Sequence, residues 1–243
     1  MKNLIYSFIA GTLMISLFAS CERDNFNAPN ASFFGVIKDS ITGSLVETEL
    51  INGSQIEVFE KGSYATPVSQ KWLIMNSGEF RNNLVFANVY DINFANCNFF
   101  PYRINDVEIK PGDNQRDFQV VPYIRIKNAQ ITYDAGAKKI NATFTLEAGK
   151  PVVKVKAIRL YGFTDIYVGE NVKFNTTGTG FTQSFSPSKV MDGTTYTLSI
   201  DLTANASFFK PGRNYYFRVG ALADVTGVGT VRHNFAPFVK IPL

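Results

Sequence analysis

Apolar and polar residues alternate with a period of two along most of the chain. Ile140, Ala142, Phe144 and Leu146 are interleaved with Asn141, Thr143 and Thr145. Tyr196, Leu198, Ile200 and Leu202 are interleaved with Thr197, Ser199 and Asp201, and Tyr215, Phe217, Val219 and Ala221 form a third set. Neighbouring side chains on a strand point to opposite faces, so each set predicts a strand with one face turned into a core. The pairs Thr42-Gly43, Asn52-Gly53, Pro111-Gly112, Asp192-Gly193 and Pro211-Gly212 fall between such runs and predict turns. No window sustains an apolar helical period. The pattern predicts an all-β chain of two tandem β-sandwich modules, residues 31–125 and 126–243, with the break where the run Asp117–Ile124 closes one strand set. No flexible linker marks that break, so a stiff connection is one expectation.

The N-terminus departs from this pattern. Lys2 precedes an apolar stretch from Leu4 to Ala19, too short for a membrane span and ending in small residues, as an export signal does. Leu17-Phe18-Ala19-Ser20-Cys21 resembles the lipobox of bacterial lipoproteins. The resemblance implies a signal peptide over 1–20, cleavage before Cys21, and acylation of Cys21 that holds the protein in outer-membrane lipid. Each buried methylene contributes about 0.8 kcal/mol, so two or three acyl chains give a stable anchor. Residues 21–30 then read as a tether. Glu22 and Asp24 resemble the surface-export tag of Bacteroidetes lipoproteins, which implies a lipid-anchored protein on the cell surface.

Both modules carry family-like motifs. Phe34-Gly35-Val36-Ile37-Lys38-Asp39, the Thr42-Gly43 turn and Gly78-Glu79-Phe80 resemble the carboxypeptidase-regulatory-like, or transthyretin-like, domain. That family next shows a glycine two residues before a tyrosine. Here Asn88 precedes Tyr90, and asparagine is the next-best residue for a left-handed backbone. Pro211-Gly212-Arg213-Asn214-Tyr215-Tyr216-Phe217-Arg218-Val219-Gly220-Ala221 resembles the fibronectin type III, immunoglobulin-like pattern, with Tyr215 as the corner tyrosine whose hydroxyl bonds the backbone. Together these features resemble a Bacteroidetes surface-lipoprotein family of unknown function whose members accompany SusC- and SusD-like proteins. The resemblance implies a glycan-related role and SusC/SusD-like outer-membrane partners.

Composition narrows the chemistry. The net charge is +4 with no basic run, which argues against nucleic-acid binding. One histidine and two cysteines rule out most zinc sites, and no metal or cofactor is expected. Lipidation of Cys21 would leave Cys97 without a disulfide partner, as a buried inert thiol. His233 lies near the C-terminus with no Gly-x-Ser-x-Gly elbow in the chain, so it reads as a surface or edge-strand residue. Asp39, Glu57, Asp91, Asp106, Asp165 and Glu170 could in principle supply the carboxylate pair of a glycoside hydrolase. Their more ordinary use is to solvate strand faces and turns, and no catalytic activity is expected.

Sugar binding asks for an exposed aromatic ring flanked by amides and carboxylates. Tyr64 and Tyr102 lie in turn-like segments; Trp72 lies in a strand-like run, where a core position is the alternative. Asp39-Ser40-Ile41 resembles the O-glycosylation sequon of this bacterial group, which points to Ser40. Between Thr164 and Gly193 a Gly/Thr/Ser-rich stretch, Asn175–Gly180, predicts a surface excursion with a short edge strand. The expected function is a non-catalytic surface lipoprotein that binds polysaccharide or assists its uptake. The alternative is a structural or adhesive module that binds protein partners through strand edges or this loop.

Overall fold

The computed structural model describes residues 27–62 and 66–243, and all named elements among them are β-strands. The first module contains β1 (Ala31–Asp39), β2 (Gln55–Glu60), β3 (Ser69–Leu73), β4 (Glu79–Val85), β5 (Asn88–Phe94), β6 (Tyr102–Ile109), β7 (Gly112–Gln115) and β8 (Phe118–Val120). One sheet runs β4-β1-β7, with β8 continuing alongside β1, and the facing sheet runs β3-β2-β5-β6. Phe33, Ile37, Ile56, Val58, Phe80, Ile92 and Phe118 fill the space between them.

The second module contains β9 (Ile124–Asp134), β10 (Lys139–Ala148), β11 (Lys154–Phe163), β12 (Thr182–Lys189), β13 (Thr195–Asp201), β14 (Asn214–Asp224), β15 (Asn234–Phe235) and β16 (Val239–Pro242). Its sheets are β13-β10-β9 and β12-β11-β14, the latter edged by β15 and β16 on β14. The three alternating sets all bury their apolar members in one core. The chain is therefore a tandem β-sandwich. Its second module starts with Ile124, two residues before the expected break, and the excursion after Thr164 ends in an eight-residue edge strand, β12.

At the start of β14, Tyr215 is buried and its hydroxyl accepts a hydrogen bond from the Lys210 amide at 2.6 Å. Tyr216 faces the other way and packs edge-on against Phe238. Tyr215→Phe should cost about 1–3 kcal/mol by orphaning that amide, and Tyr216→Phe much less. Urea melts of the two variants check the order; equal losses would reverse the strand phase. Asn88 departs from expectation, since it lies inside β5 and is absent from the positive-φ positions. Its side chain bonds Glu60 instead, so the local turn is made without a left-handed residue there.

The modules are stiffly joined. Gly149 donates its amide to Tyr123 O at 2.8 Å, and a Cβ on it would stand 1.7 Å from Pro122 O, so only glycine lets this backbone cross the linker. Arg125 grips Asp39 through Nε at 2.5 Å and Nη2 at 2.9 Å. Arg218, on the outward face of β14, is fully buried against the first module. Its Nη1 donates to Thr48 O at 2.8 Å, and its Nη2 to Asn76 O at 3.1 Å and to Glu47 Oε2 at 2.5 Å. Asn98 and Asn234 add a second buried bridge, with Asn234 Nδ2 donating to Asn98 O at 2.8 Å.

Candidate functional site

A dense polar cluster lies on the outer face of the β12-β11-β14 sheet, where the first module abuts the second. Ile158 and Leu160 point into the sandwich core, so Arg159 and Tyr161 lie on the opposite face of β11. Gly220 stands opposite Arg159 on β14. A Cβ there would come within 2.7 Å of the Tyr161 ring and 3.0 Å of Phe235, so the bare backbone makes room for both rings.

The excursion after β11 carries Glu170 back over this face. Arg159 Nη1 donates to both Glu170 carboxylate oxygens at 3.0 and 3.2 Å, Tyr161 Oη donates at 2.8 Å, and Lys173 Nζ at 3.0 Å. Burial by itself would raise the Glu170 pKa, but the bonds from Tyr161 and Lys173 and the charge of Arg159 hold it below the usual carboxylate value. Burial and the adjacent carboxylate push Tyr161 well above the ordinary phenol range. Burial lowers His233, which leaves it neutral at pH 7. Glu170 is thus a fixed anion between two cations.

The first module holds this loop in place. The buried Glu49 carboxylate accepts from the Asn171 amide at 2.9 Å; Asn171 Nδ2 donates to Ile51 O at 3.0 Å; Asn76 Nδ2 donates to Ile166 O at 3.0 Å. Burial raises the Glu49 carboxyl above its ordinary value despite the Asn171 bonds.

Two cavities flank the Arg159–Glu170 pair and share Arg159 and Tyr161. One, of about 210 Å³, adds Thr182, Ser184 and His233; the other, of about 200 Å³, adds Lys173, Asn175, Thr176 and the half-buried Phe181 ring. Arg159 Nη2 bonds no protein group among the described residues and remains a free donor. The groove therefore offers donors, acceptors and an aromatic face within one side chain's reach of each other. Such a mixture suits a polyhydroxylated ligand, whose hydroxyls both donate and accept. Among the described residues no three His, Cys, Asp or Glu side chains converge as metal ligands.

Comparison with known proteins places the chain. A family described as a domain of unknown function, DUF3823_C, matches residues 124–240. A Bacteroides uniformis crystal structure is 50% identical, with a TM-score of 0.84 over 88% of this chain and 100% of its own. The chain belongs to the DUF3823 family. That 50%-identical relative is provisionally named a carbohydrate binding protein. Two further DUF3823 structures, from Bacteroides uniformis and Parabacteroides merdae, share the fold at 18% and 21% identity, with TM-scores of 0.70 and 0.67 over 88% of this chain and 100% of theirs. No curated protein matches the chain.

Of the aromatic residues singled out from the sequence, Trp72 and Tyr102 are packed against other rings. Trp72 is 8% exposed and packs in the first core, 5.8 Å from Phe33 and 6.2 Å from Tyr90 between ring centroids. It offers no ring face to a sugar, because β3 turns it inward opposite Ile56. Tyr102 is half-buried and stacks on Phe94 at 4.8 Å, which covers one face of its ring. Cys21 and Tyr64 lie outside the described residues. Ser40 is exposed in the turn after β1, while the neighbouring Asp39 is taken up by Arg125, the Ile41 amide and Thr42 Oγ1. His233 is half-buried just before the edge strand β15, its ring 6.0 Å from Phe235, and it lines one of the flanking cavities. Cys97 is fully buried, and burial pushes its thiol up to about 12.

The carboxylates have separate duties. Asp91 and Asp106 share Lys61, at 3.0 and 2.6 Å, and Asp91 also binds Arg103, which holds it at about 2. Asp39 belongs to the module strut, Glu57 accepts from Asn93, and Asp165 caps the Tyr167 amide. A cleft of about 250 Å³ at the module junction is lined by Asp39 and Arg125 themselves. Those groups saturate each other, so that cleft reads as part of the strut. Arg159, Tyr161, Lys173 and Phe181 were not recognisable as site residues in the sequence. The Gly/Thr/Ser-rich excursion was the available signal, and Glu170 within it.

Proposed function

We propose that this chain is a non-catalytic, lipid-anchored surface protein that binds polysaccharide in the groove around Arg159 and Glu170. The observation that carries the reading is the groove itself: a fixed carboxylate, a guanidinium with a free edge, hydroxyl and amide side chains and a half-buried ring, held by contacts from both modules. The provisional naming of the 50%-identical relative supports the same ligand class. The ion pair keeps both charges engaged, which suits reading hydroxyls more than moving protons. The lipobox-like Cys21 and the acidic residues after it support anchoring in the outer membrane facing outward. In that setting the protein would serve polysaccharide capture beside SusC- and SusD-like import proteins.

Native affinity electrophoresis of the chain from residue 22 onward, run through gels containing a panel of neutral and acidic polysaccharides, tests the reading. Retardation by at least one polysaccharide is the expected result. No retardation by any, together with capture of a protein partner, would instead favour an adhesive module.

A further inference from the structure

β1 runs from Ala31, next to the tether, to Asp39 at the module junction, so the second module hangs on the end away from the tether. The opposite end of the first module gathers the close of β2, the start of β3, the close of β4, the start of β5 and the turn between β6 and β7. The pairings Ala31↔Val85, Ala31↔Gly112, Phe59↔Ser69 and Asn88↔Ile109 fix this, and the Ala87 amide bonds Asn30 Oδ1 at 2.9 Å.

This end carries Val68 and Leu84, the two most exposed large apolar side chains among the described residues, at 82% and 75%. Phe86, two residues after Leu84, is 43% exposed at the same end. Leu84 is turned out by a register shift in the β1–β4 pairing, and Phe86 follows the last residue of its strand. The charged side chains nearby are largely paired: Lys61 with Asp91 and Asp106, and Lys110 with Glu108. Large apolar side chains gathered exposed at one end of a module mark a contact surface.

We propose that this end of the first module docks on the lipid surface in which the protein is anchored, with Val68, Leu84 and Phe86 inserted at the headgroup boundary. The inference rests on Cys21 being the anchor. Ten residue steps separate Cys21 from Ala31, and a fully extended chain spans at most about 3.6 Å per residue, so this end stays within about 36 Å of the bilayer. The second module faces away from it. Apolar side chains near a covalent lipid add their own burial to the anchor, and the paired charges make the contact insensitive to salt. Docking would fix the orientation of the groove relative to the membrane.

The test uses the chain from Cys21 onward, coupled at that thiol to a maleimide lipid in phosphatidylcholine vesicles. Cys97 does not compete, being buried with its thiol pushed up to about 12. Phe86→Trp and Val190→Trp variants are compared with the parent chain in vesicles containing brominated lipid; Val190 is 60% exposed on the second module. The expected result is at least twofold stronger quenching for Phe86→Trp than for the parent, unchanged in 0.5 M salt, with none added for Val190→Trp. No added quenching at position 86, or equal quenching at 190, overturns the proposal. Dimerisation that buries position 86 away from lipid overturns it as well. Palmitate labelling of Cys21 in cells reports separately on the anchor, so failure of that reading is distinguishable from failure of docking.

Discussion

Replacing Arg218 with methionine should destabilise the folded chain by about 3–5 kcal/mol, the usual cost of removing one partner from a buried ion pair. The guanidinium is fully buried and satisfies Thr48 O, Asn76 O and Ala236 O as well as Glu47. Methionine fills much of the volume but removes the guanidinium donors from these three carbonyls and Val168 O, of which Asn76 O keeps the Thr48 amide, and from the Glu47 carboxylate. Burial already raises Glu47 above its ordinary value, and loss of the cation raises it further. A carboxyl whose folded pKa lies above its unfolded value favours the folded state at low pH, and that advantage is lost as pH rises through the folded value. The variant should therefore lose more stability at pH 8 than at pH 5, and Arg218→Met with Glu47→Gln should recover part of the loss. Urea melts followed by fluorescence and by circular dichroism check this. The single tryptophan, Trp72, reports on the first module alone, so the two signals should separate once the modules are uncoupled.

The parts of the structure legible in the sequence are those set by local pattern. Period-two alternation places Ile140–Leu146, Tyr196–Leu202 and Tyr215–Ala221 as half-buried strands, because the pleat alone decides which face each residue takes. Pro211-Gly212 before Tyr215 marks the corner, since the hydroxyl bond is only five residues long in sequence. The groove was not legible, because it is assembled over distance. Glu170 meets Tyr161 across an excursion, and Glu49 reaches Asn171 over 122 positions. Arg218 stands in a strand motif, yet it bonds residues 142 and 170 positions away, which no local pattern encodes. Trp72 and Tyr102 were attractive for their ring chemistry. Whether a ring is a platform or a core member depends on what the fold places against it, here Phe33 of the facing sheet against Trp72 and Phe94 of the neighbouring strand against Tyr102.

Arg159→Ala should weaken binding of the polysaccharide that retards the wild-type chain by roughly 10- to 100-fold, since hydrogen bonds to charged groups contribute about 1.5–3 kcal/mol. Arg159 lines both flanking cavities, and its two Nη1 bonds to Glu170 hold the guanidinium between them. Tyr161 and Lys173 still hold Glu170 in the variant, so the loop keeps its place and the fold should melt close to wild type. The most direct measurement is calorimetric titration of one oligosaccharide from the retarding polymer into wild type, Arg159→Ala and Tyr102→Ala. The account predicts a loss of at least tenfold in affinity for Arg159→Ala and wild-type affinity for Tyr102→Ala. Unchanged affinity in a folded Arg159→Ala chain would contradict it.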